Sequence, residues 1–417
     1  MSENVIKRVA FISSTLNQVG GGEKLLLEGV KYYHKIGLDV HVITWNFDKI
    51  SMFDGKYTMP NLINLDVETS KKVGDYKFML IKIFYIFKLR KILVNLKPDL
   101  IISQSENDST VLNLAQLFLK KNYITLIFGQ MFQSSHDYTK YSLIFKKHLK
   151  PIVNSFVGYG ETIPLQNPSR NIFVNLAVEI WSLLRYLSVK KSIKTFVFSK
   201  QVQWEVELLY NKKSQILKGA YEEDVLKFLP RYDETFAYRD SPSQSIILMI
   251  NRLERKKRTH LAIEAMVEVI KLNSNVKLLI GGIGSQFINL QRKIEELNLE
   301  KHVTLLGYIK EEKIKDFTIN ADIFMSLDIA DFNISPFSAL ALKKKIIWSV
   351  EMDMDHDLIN CDLIKVVNPN PHEVANAILD HIKNKSLFEI NNSSIFFKKY
   401  TWENYFDTLI HSINGKN

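Results

Sequence analysis

The stretch from Ser245 to Val350 constrains this chain most. Short β-branched runs (Ile246–Ile250, Val276–Ile280, Val303–Leu306, Ile323–Leu327 and Ile346–Val350) alternate there with segments of helical period. A strand cannot bury both faces alone. Strands that alternate with helices therefore predict βαβ units around a parallel sheet. Each apolar run ends at or near Gly, Asn or Asp just before a helix. In open α/β sheets that edge gathers helix N-termini and backbone N–H groups, and ligands bind there.

The N-terminal half repeats the pattern. Arg8–Ile12 predicts a first strand, and Gly20-Gly21-Gly22-Glu23 then opens an apolar-periodic helix. Glycines let backbone approach a ligand, and a helix N-terminus favours anions, so this is a phosphate-loop pattern. Further strands are predicted at Val40–Thr44, Leu100–Ser103, Tyr123–Phe128 and Thr195–Ser199, with short strands in the irregular stretch 45–70. With 417 residues and 46% hydrophobic content, two domains of ordinary size are expected. Leu363–Val367 and a helix from PNPHEVANAILDHIKN continue the second half.

Two helices carry more apolar residues than one stripe needs. Lys77–Lys97 is punctuated by Lys82, Lys88, Arg90 and Lys91. It reads either as a buried helix with snorkelling lysines or as a basic interfacial helix at an anionic membrane. Asn171–Lys191 is aromatic-rich with a basic end, and Glu179 and Arg185 argue against its spanning a bilayer. Core packing is the default for it, with membrane contact the other reading. No run of about 18 uninterrupted apolar residues occurs, so no transmembrane helix is expected. The first residues, MSENVIKRVAFISS, enter a strand without a signal-peptide apolar region.

Net charge is +10, from 55 Lys and Arg against 45 Asp and Glu. There is no arginine-rich run and no nucleic-acid motif, so no nucleic-acid partner is expected. A membrane surface together with an anionic substrate accounts for the charge better. A single cysteine, Cys361, excludes an internal disulfide and fits a reducing compartment, so a cytoplasmic location is expected. No metal-ligand set is visible. Asp353-Met354-Asp355 reads as a solvated loop.

Several short motifs together resemble the GT-B retaining glycosyltransferases called family 4. The family's G-R-L-x-x-x-K-G appears as Asn251-Arg252-Leu253 with Lys257, and Arg258 stands where glycine is usual. Its G-x-G-P turn appears as Gly281-Gly282-Ile283-Gly284, and its F-L-G-Y turn as Leu305-Leu306-Gly307-Tyr308. Its A-A-D-V-F strand appears as Asn320-Ala321-Asp322-Ile323-Phe324. Gly20 to Glu23 resembles its N-terminal G-G-A-E. The family's paired glutamates depart from the pattern: Ala330 stands at the first and Ser338 at the second. Asp331 and Asp328 are nearby carboxylates, and a shift of one residue in the loop would bring Asp331 into the first role.

The resemblance implies a GT-B α/β fold, with two Rossmann-like doubly wound domains facing across a cleft. Residues 1–200 would be the acceptor-binding domain and 201–395 the nucleotide-sugar domain. A C-terminal helix within 396–417 would pack back across both. It implies transfer of a hexosyl unit from a nucleotide-sugar to a glycan or lipid-linked saccharide with retained configuration. That acceptor implies a cytoplasmic membrane face and peripheral membrane contact. Asp331 and His136 would be catalytic, with Gln130 an alternative to His136. Donor binding would fall to Gly21, Gly22, Arg252, Lys257, Gly282, Tyr308, Phe332, Asn333, Ile334 and Ser338. No cofactor and no metal are implied, because arginine and lysine take the metal's place beside the donor diphosphate. The replaced glutamates keep a second reading open: a non-catalytic homologue serving as partner or scaffold in a glycan-assembly complex.

Overall fold

The computed structural model describes residues 6–16, 20–48, 59, 61–66, 76–117, 119, 121–128, 172–221, 238–328, 334–352, 358, 362–384 and 399–414. The chain divides into two compact units. One comprises residues 1–218 with 405–417, and the other residues 219–404.

The first unit is a seven-stranded sheet with every described pairing parallel. Its strands in chain order are β1 (Arg8–Leu16), β2 (Asp39–Phe47), β3 (Leu62–Asn64), β4 (Leu100–Ser103), β5 (Tyr123–Ile127), β6 (Lys194–Val197) and β7 (Gln215–Ile216). Spatially they run β3-β2-β1-β4-β5-β6-β7, so the order reverses between β1 and β4. The unit extends beyond the expected boundary at residue 200, because helix α5 (Lys200–Tyr210) and β7 complete this sheet.

Alternation along β1 sorts the helices. Phe11 points to the side of α1 (Gly21–Lys35), where Tyr33 stacks at 6.0 Å between centroids. The last helix, α11 (Trp402–Asn414), shares that side. Phe406 stacks on Tyr32 at 5.9 Å, and the Gly29 Cα has no room for a methyl beside the Phe406 ring. Ala10 and Ile12 point the other way, into a core with α2 (Tyr76–Leu96) and α3 (Glu106–Ala115). Trp181 of α4 (Ile172–Lys191) packs against the same core. Helix α2 therefore buries one stripe, Tyr85, Leu89 and Leu93, and exposes Phe84 and Phe87. The buried stripe agrees with the first of the two readings its sequence allowed.

The second unit is a six-stranded parallel sheet of β8 (Ser245–Ile250), β9 (Val276–Gly281), β10 (Val303–Gly307), β11 (Ile323–Ser326), β12 (Lys345–Ser349) and β13 (Ile364–Val367). The spatial order is β10-β9-β8-β11-β12-β13, which reverses between β8 and β11. Ile247, Met249, Ile323 and Met325 face α6 (Thr259–Leu272), α7 (Phe287–Glu296) and α10 (Pro371–Lys383). On the opposite face lie α8 (Glu311–Asn320) and α9 (Ser335–Ala341), where Phe337 meets Trp348 edge-on at 5.5 Å. Burying both faces of a parallel sheet requires near-continuous apolar strands, as Ile246–Met249 and Ile346–Trp348 are.

Candidate functional site

The second unit's loops converge at the C-terminal edge of its sheet. Asn251 and Arg252 follow β8, Gly282 to Gly284 follow β9, Tyr308 follows β10, and Leu327 and Asp328 follow β11. The β8 and β9 loops are stitched backbone to backbone. Asn251 N donates to Gly281 O at 3.1 Å, Leu253 N to Ile283 O at 2.9 Å, and Gln286 N to Leu253 O at 2.9 Å. Gly282 N reaches across to Gly307 O at 2.7 Å.

This seam requires its glycines. Gly282 has φ +135°, and a Cβ there would sit 1.8 Å from Asn251 O. A Cβ on Gly284 would sit 2.4 Å from Leu253 O. Side chains are excluded by the neighbouring backbone, so the G-G-I-G turn fixes where Arg252 begins. The Arg252 side chain projects into solvent, with Glu254 at 3.5 Å.

The basic run that follows forms a single 3₁₀ turn, Arg255–Lys257. Lys257 is buried, and its ammonium donates to Asp328 Oδ2 at the sheet's switch point. Arg258 is buried too, and its guanidinium donates to Glu351 just past β12. Arg258 has φ +51°, the left-handed conformation that favours glycine. That conformation gives a local reason for glycine to be usual at this position of the motif. Here the contact with Glu351 offsets the cost of a side chain.

On α9, Ile334 is the N-cap, and Ser338 lies half-buried one turn into the helix. Tyr308 is 61% exposed. The structure thus brings Arg252, Lys257, Gly282, Tyr308 and Ile334 to one sheet edge, with Ser338 on the helix that starts there. Ala330, Asp331, Phe332, Asn333, Gln130 and His136 lie outside the described residues, as do Asp353 and Asp355. Among the described residues, no group of three His, Cys, Asp or Glu side chains is placed to hold a metal ion.

In the first unit, Gly21 and Gly22 begin α1 directly behind β1. A Cβ on Gly22 would come within 3.4 Å of the Phe128 ring, and a Cβ on Gly20 within 2.5 Å of Glu23 Oε2. The Glu23 carboxylate therefore folds over the helix N-terminus, where the phosphate-loop pattern would put an anion.

Two residues here carried no distinctive sequence signal. Asp328 was one carboxylate of several in its stretch; its burial against Lys257 is a tertiary fact. Gln104, at the C-terminal end of β4 and beside the switch point of the first sheet, is only 7% exposed. Its backbone N donates to Ile12 O at 3.1 Å, yet neither side-chain amide atom makes a hydrogen bond. Around it, Ser14 and Ser105 both donate to the Asp108 carboxylate, and Ser105 caps α3 by accepting from Asp108 N at 3.1 Å.

Residues 232–394 match the family model for glycosyl transferases group 1. The chain is 27% identical over 131 residues to the phosphatidylinositol N-acetylglucosaminyltransferase GPI3 subunit of Saccharomyces cerevisiae, covering 29% of each protein. It thus spans less than a third of that relative's length. Among solved structures, a glycosyltransferase from Rickettsia africae superposes with a TM-score of 0.68 at 16% identity, covering 98% of both chains. Anabaena Alr3699/HepE in complex with UDP and glucose superposes with a TM-score of 0.68 at 12% identity, covering 98% of this chain and 99% of that one. These likenesses establish the GT-B fold, two Rossmann-like α/β domains with parallel sheets.

Proposed function

The chain carries a glycosyl transferases group 1 domain over residues 232–394, and from this premise we propose that it transfers a hexosyl unit from a nucleotide-sugar, with retained configuration, to a glycan or lipid-linked saccharide. The acceptor class would place it in the cytoplasm at a membrane face, in peripheral contact with the lipid. No cofactor and no metal take part in this reading. When the bond between sugar and diphosphate breaks, negative charge grows on the leaving diphosphate. Fixed cations and backbone N–H groups placed there lower the barrier.

The observation that supports this reading best is the seam between Asn251–Leu253 and Gly281–Gly284. It pins the start of the Arg252 side chain beside a glycine turn at the ligand-binding edge of the sheet. Arg252 is the cation assigned to the diphosphate. Lys257, at the motif's lysine position, is assigned to the same diphosphate. Asp331 is assigned to the sugar, with Ser338 accepting or donating one hydrogen bond to the ribose in place of a carboxylate's charge-assisted pair.

A second reading has its own support. Ala330 and Ser338 occupy the positions of the motif's two carboxylates, and Lys257 is already neutralised by Asp328. A protein that holds its fold but not its turnover would serve as a partner in a glycan-assembly complex. Thermal shift and donor hydrolysis with UDP-, GDP- and ADP-sugars separate the two. The enzyme reading expects a nucleotide-sugar that stabilises the protein and is slowly hydrolysed, with both effects reduced by Arg252→Ala. Neither effect with any donor would leave the scaffold reading standing.

A further inference from the structure

Helix α4 presents an unusual outer face. Ile172, Leu176, Ile180, Leu183 and Leu187 are 38–75% exposed. Their spacing of three and four residues places all five on one stripe, about 22 Å long at 1.5 Å per residue. The opposite face of the helix is anchored. Tyr123 Oη donates to Ser188 O, Arg185 Nη2 donates to Asn107 Oδ1 at 3.0 Å, and Trp181 packs on the core. The stripe is therefore held outward by the fold.

Helix α2 lies on the same side of the sheet, with α3 between. It exposes Phe84 and Phe87, each by about two-thirds, beside exposed Lys91, while the Lys88 ammonium turns in to Leu65 O at 2.9 Å. Lys190 and Lys191 are exposed at the end of α4. The only acid in the two helices is Glu179, which is half-buried. Isolated surface apolar residues need no explanation, but seven large ones on two helices of one layer do.

We propose that the α2–α4 face of the first unit docks on an anionic lipid surface, its aliphatic stripe and phenyl rings entering the headgroup boundary and its lysines meeting lipid phosphates. Charge decides the occupant. A second copy of this chain would bring lysine against lysine, whereas an anionic bilayer answers both the apolar stripe and its basic flanks. Among the described residues no helix is long and apolar enough to cross a membrane, so the contact is in the plane of the interface. The donor loops belong to the other unit, and this inference does not depend on the chemistry assigned to them.

Co-sedimentation of the full chain with vesicles tests it. Phosphatidylcholine vesicles containing phosphatidylglycerol should pellet the protein, and phosphatidylcholine alone should pellet far less. Ile180→Glu with Leu183→Glu should abolish binding. Lys91→Glu with Lys191→Glu should weaken it at least about fivefold for each lysine removed. The lysine variant alters only exposed polar positions and keeps the test valid should the glutamate variant fail to fold. Failure of the wild type to pellet with anionic vesicles, or pelleting that neither variant changes, overturns the proposal. So does a dimer in light scattering that Ile180→Glu with Leu183→Glu dissociates while lipid binding persists. Nucleotide-sugar thermal shift should be the same in all variants, so a failure here is separable from failure of the transferase reading.

Discussion

The ammonium of Lys257 donates to Asp328 Oδ2, joining the loop after β8 to the end of β11 at the point where the second sheet reverses its strand order. Asp328 is fully buried and Lys257 nearly so. Withdrawing two charges from water costs several kcal/mol, and removing one partner leaves the other's cost uncompensated.

Lys257→Met should therefore destabilise the fold by about 3–5 kcal/mol, and Lys257→Met with Asp328→Asn should recover most of the loss. Urea unfolding of the two singles and the double reads this as a coupling energy. Asp328→Asn alone should have a second effect. It frees an ammonium from its counter-charge, so a nucleoside diphosphate should bind more tightly, by about tenfold for one charge-assisted contact. Isothermal calorimetry with UDP, GDP and ADP would show it. Unchanged affinity for all three would remove Lys257 from the phosphate site.

The two glycines at neighbouring strand ends should respond differently to the same substitution. Gly282→Ala drives a methyl into Asn251 O, 1.8 Å from the ideal Cβ position, and must break the seam that holds Arg252. Gly307 also has positive φ, +69°, but nothing lies within 4 Å of its ideal Cβ position. Gly307→Ala should cost about 1 kcal/mol, the left-handed penalty alone. Gly282→Ala should cost about 3 kcal/mol or more and weaken nucleotide-sugar binding. Melting temperature and donor affinity for the two variants, measured together, check both halves.

The alternation of apolar runs and helical periods made the βαβ order of both units legible, and most predicted strands fall within one or two residues of the observed ones. Periodicity reports burial, and parallel strands buried on both faces give a strong signal. β7 has two residues and no such signal, so the boundary of the first unit falls later than expected. The loops after β8 and β9 were legible because a backbone seam demands glycine, and glycine can be read directly. Pairings were not legible. Nothing in the run Arg255 to Arg258 distinguishes two residues that turn inward to Asp328 and Glu351 from those that do not. Nor does the sequence mark Gln104, whose neighbours Ser103 and Ser105 look equally polar but are hydrogen-bonded.

Gln104 buries an amide with no hydrogen-bond partner, which costs about 1–3 kcal/mol. Such a group is retained for a reason other than stability, and its place beside the switch point suits contact with a hydroxylated ligand. Gln104→Leu should raise stability by about 1 kcal/mol and lower transfer to acceptor, with donor hydrolysis unchanged. Denaturant unfolding beside an acceptor-dependent transfer assay decides it. Destabilisation without loss of transfer would make the residue structural.

Acid should weaken the second unit through His381. The ring is 3% exposed, and Nε2 donates to Ile346 O at 3.2 Å, which fixes its neutral tautomer. Burial lowers its pKa from the ordinary 6.5 to about 4. The unfolded chain takes up this proton near pH 6.5, and the folded chain does not until about pH 4. The stabilisation is present above pH 6.5 and is lost as pH falls through that window, by up to about 3 kcal/mol. His381→Gln keeps a donor to Ile346 O and removes the titration. Between pH 7 and 4.5 the wild type should lose about 2 kcal/mol more than this variant, seen as converging urea midpoints. Parallel pH profiles for the two proteins would show that the imidazole is not the group responsible.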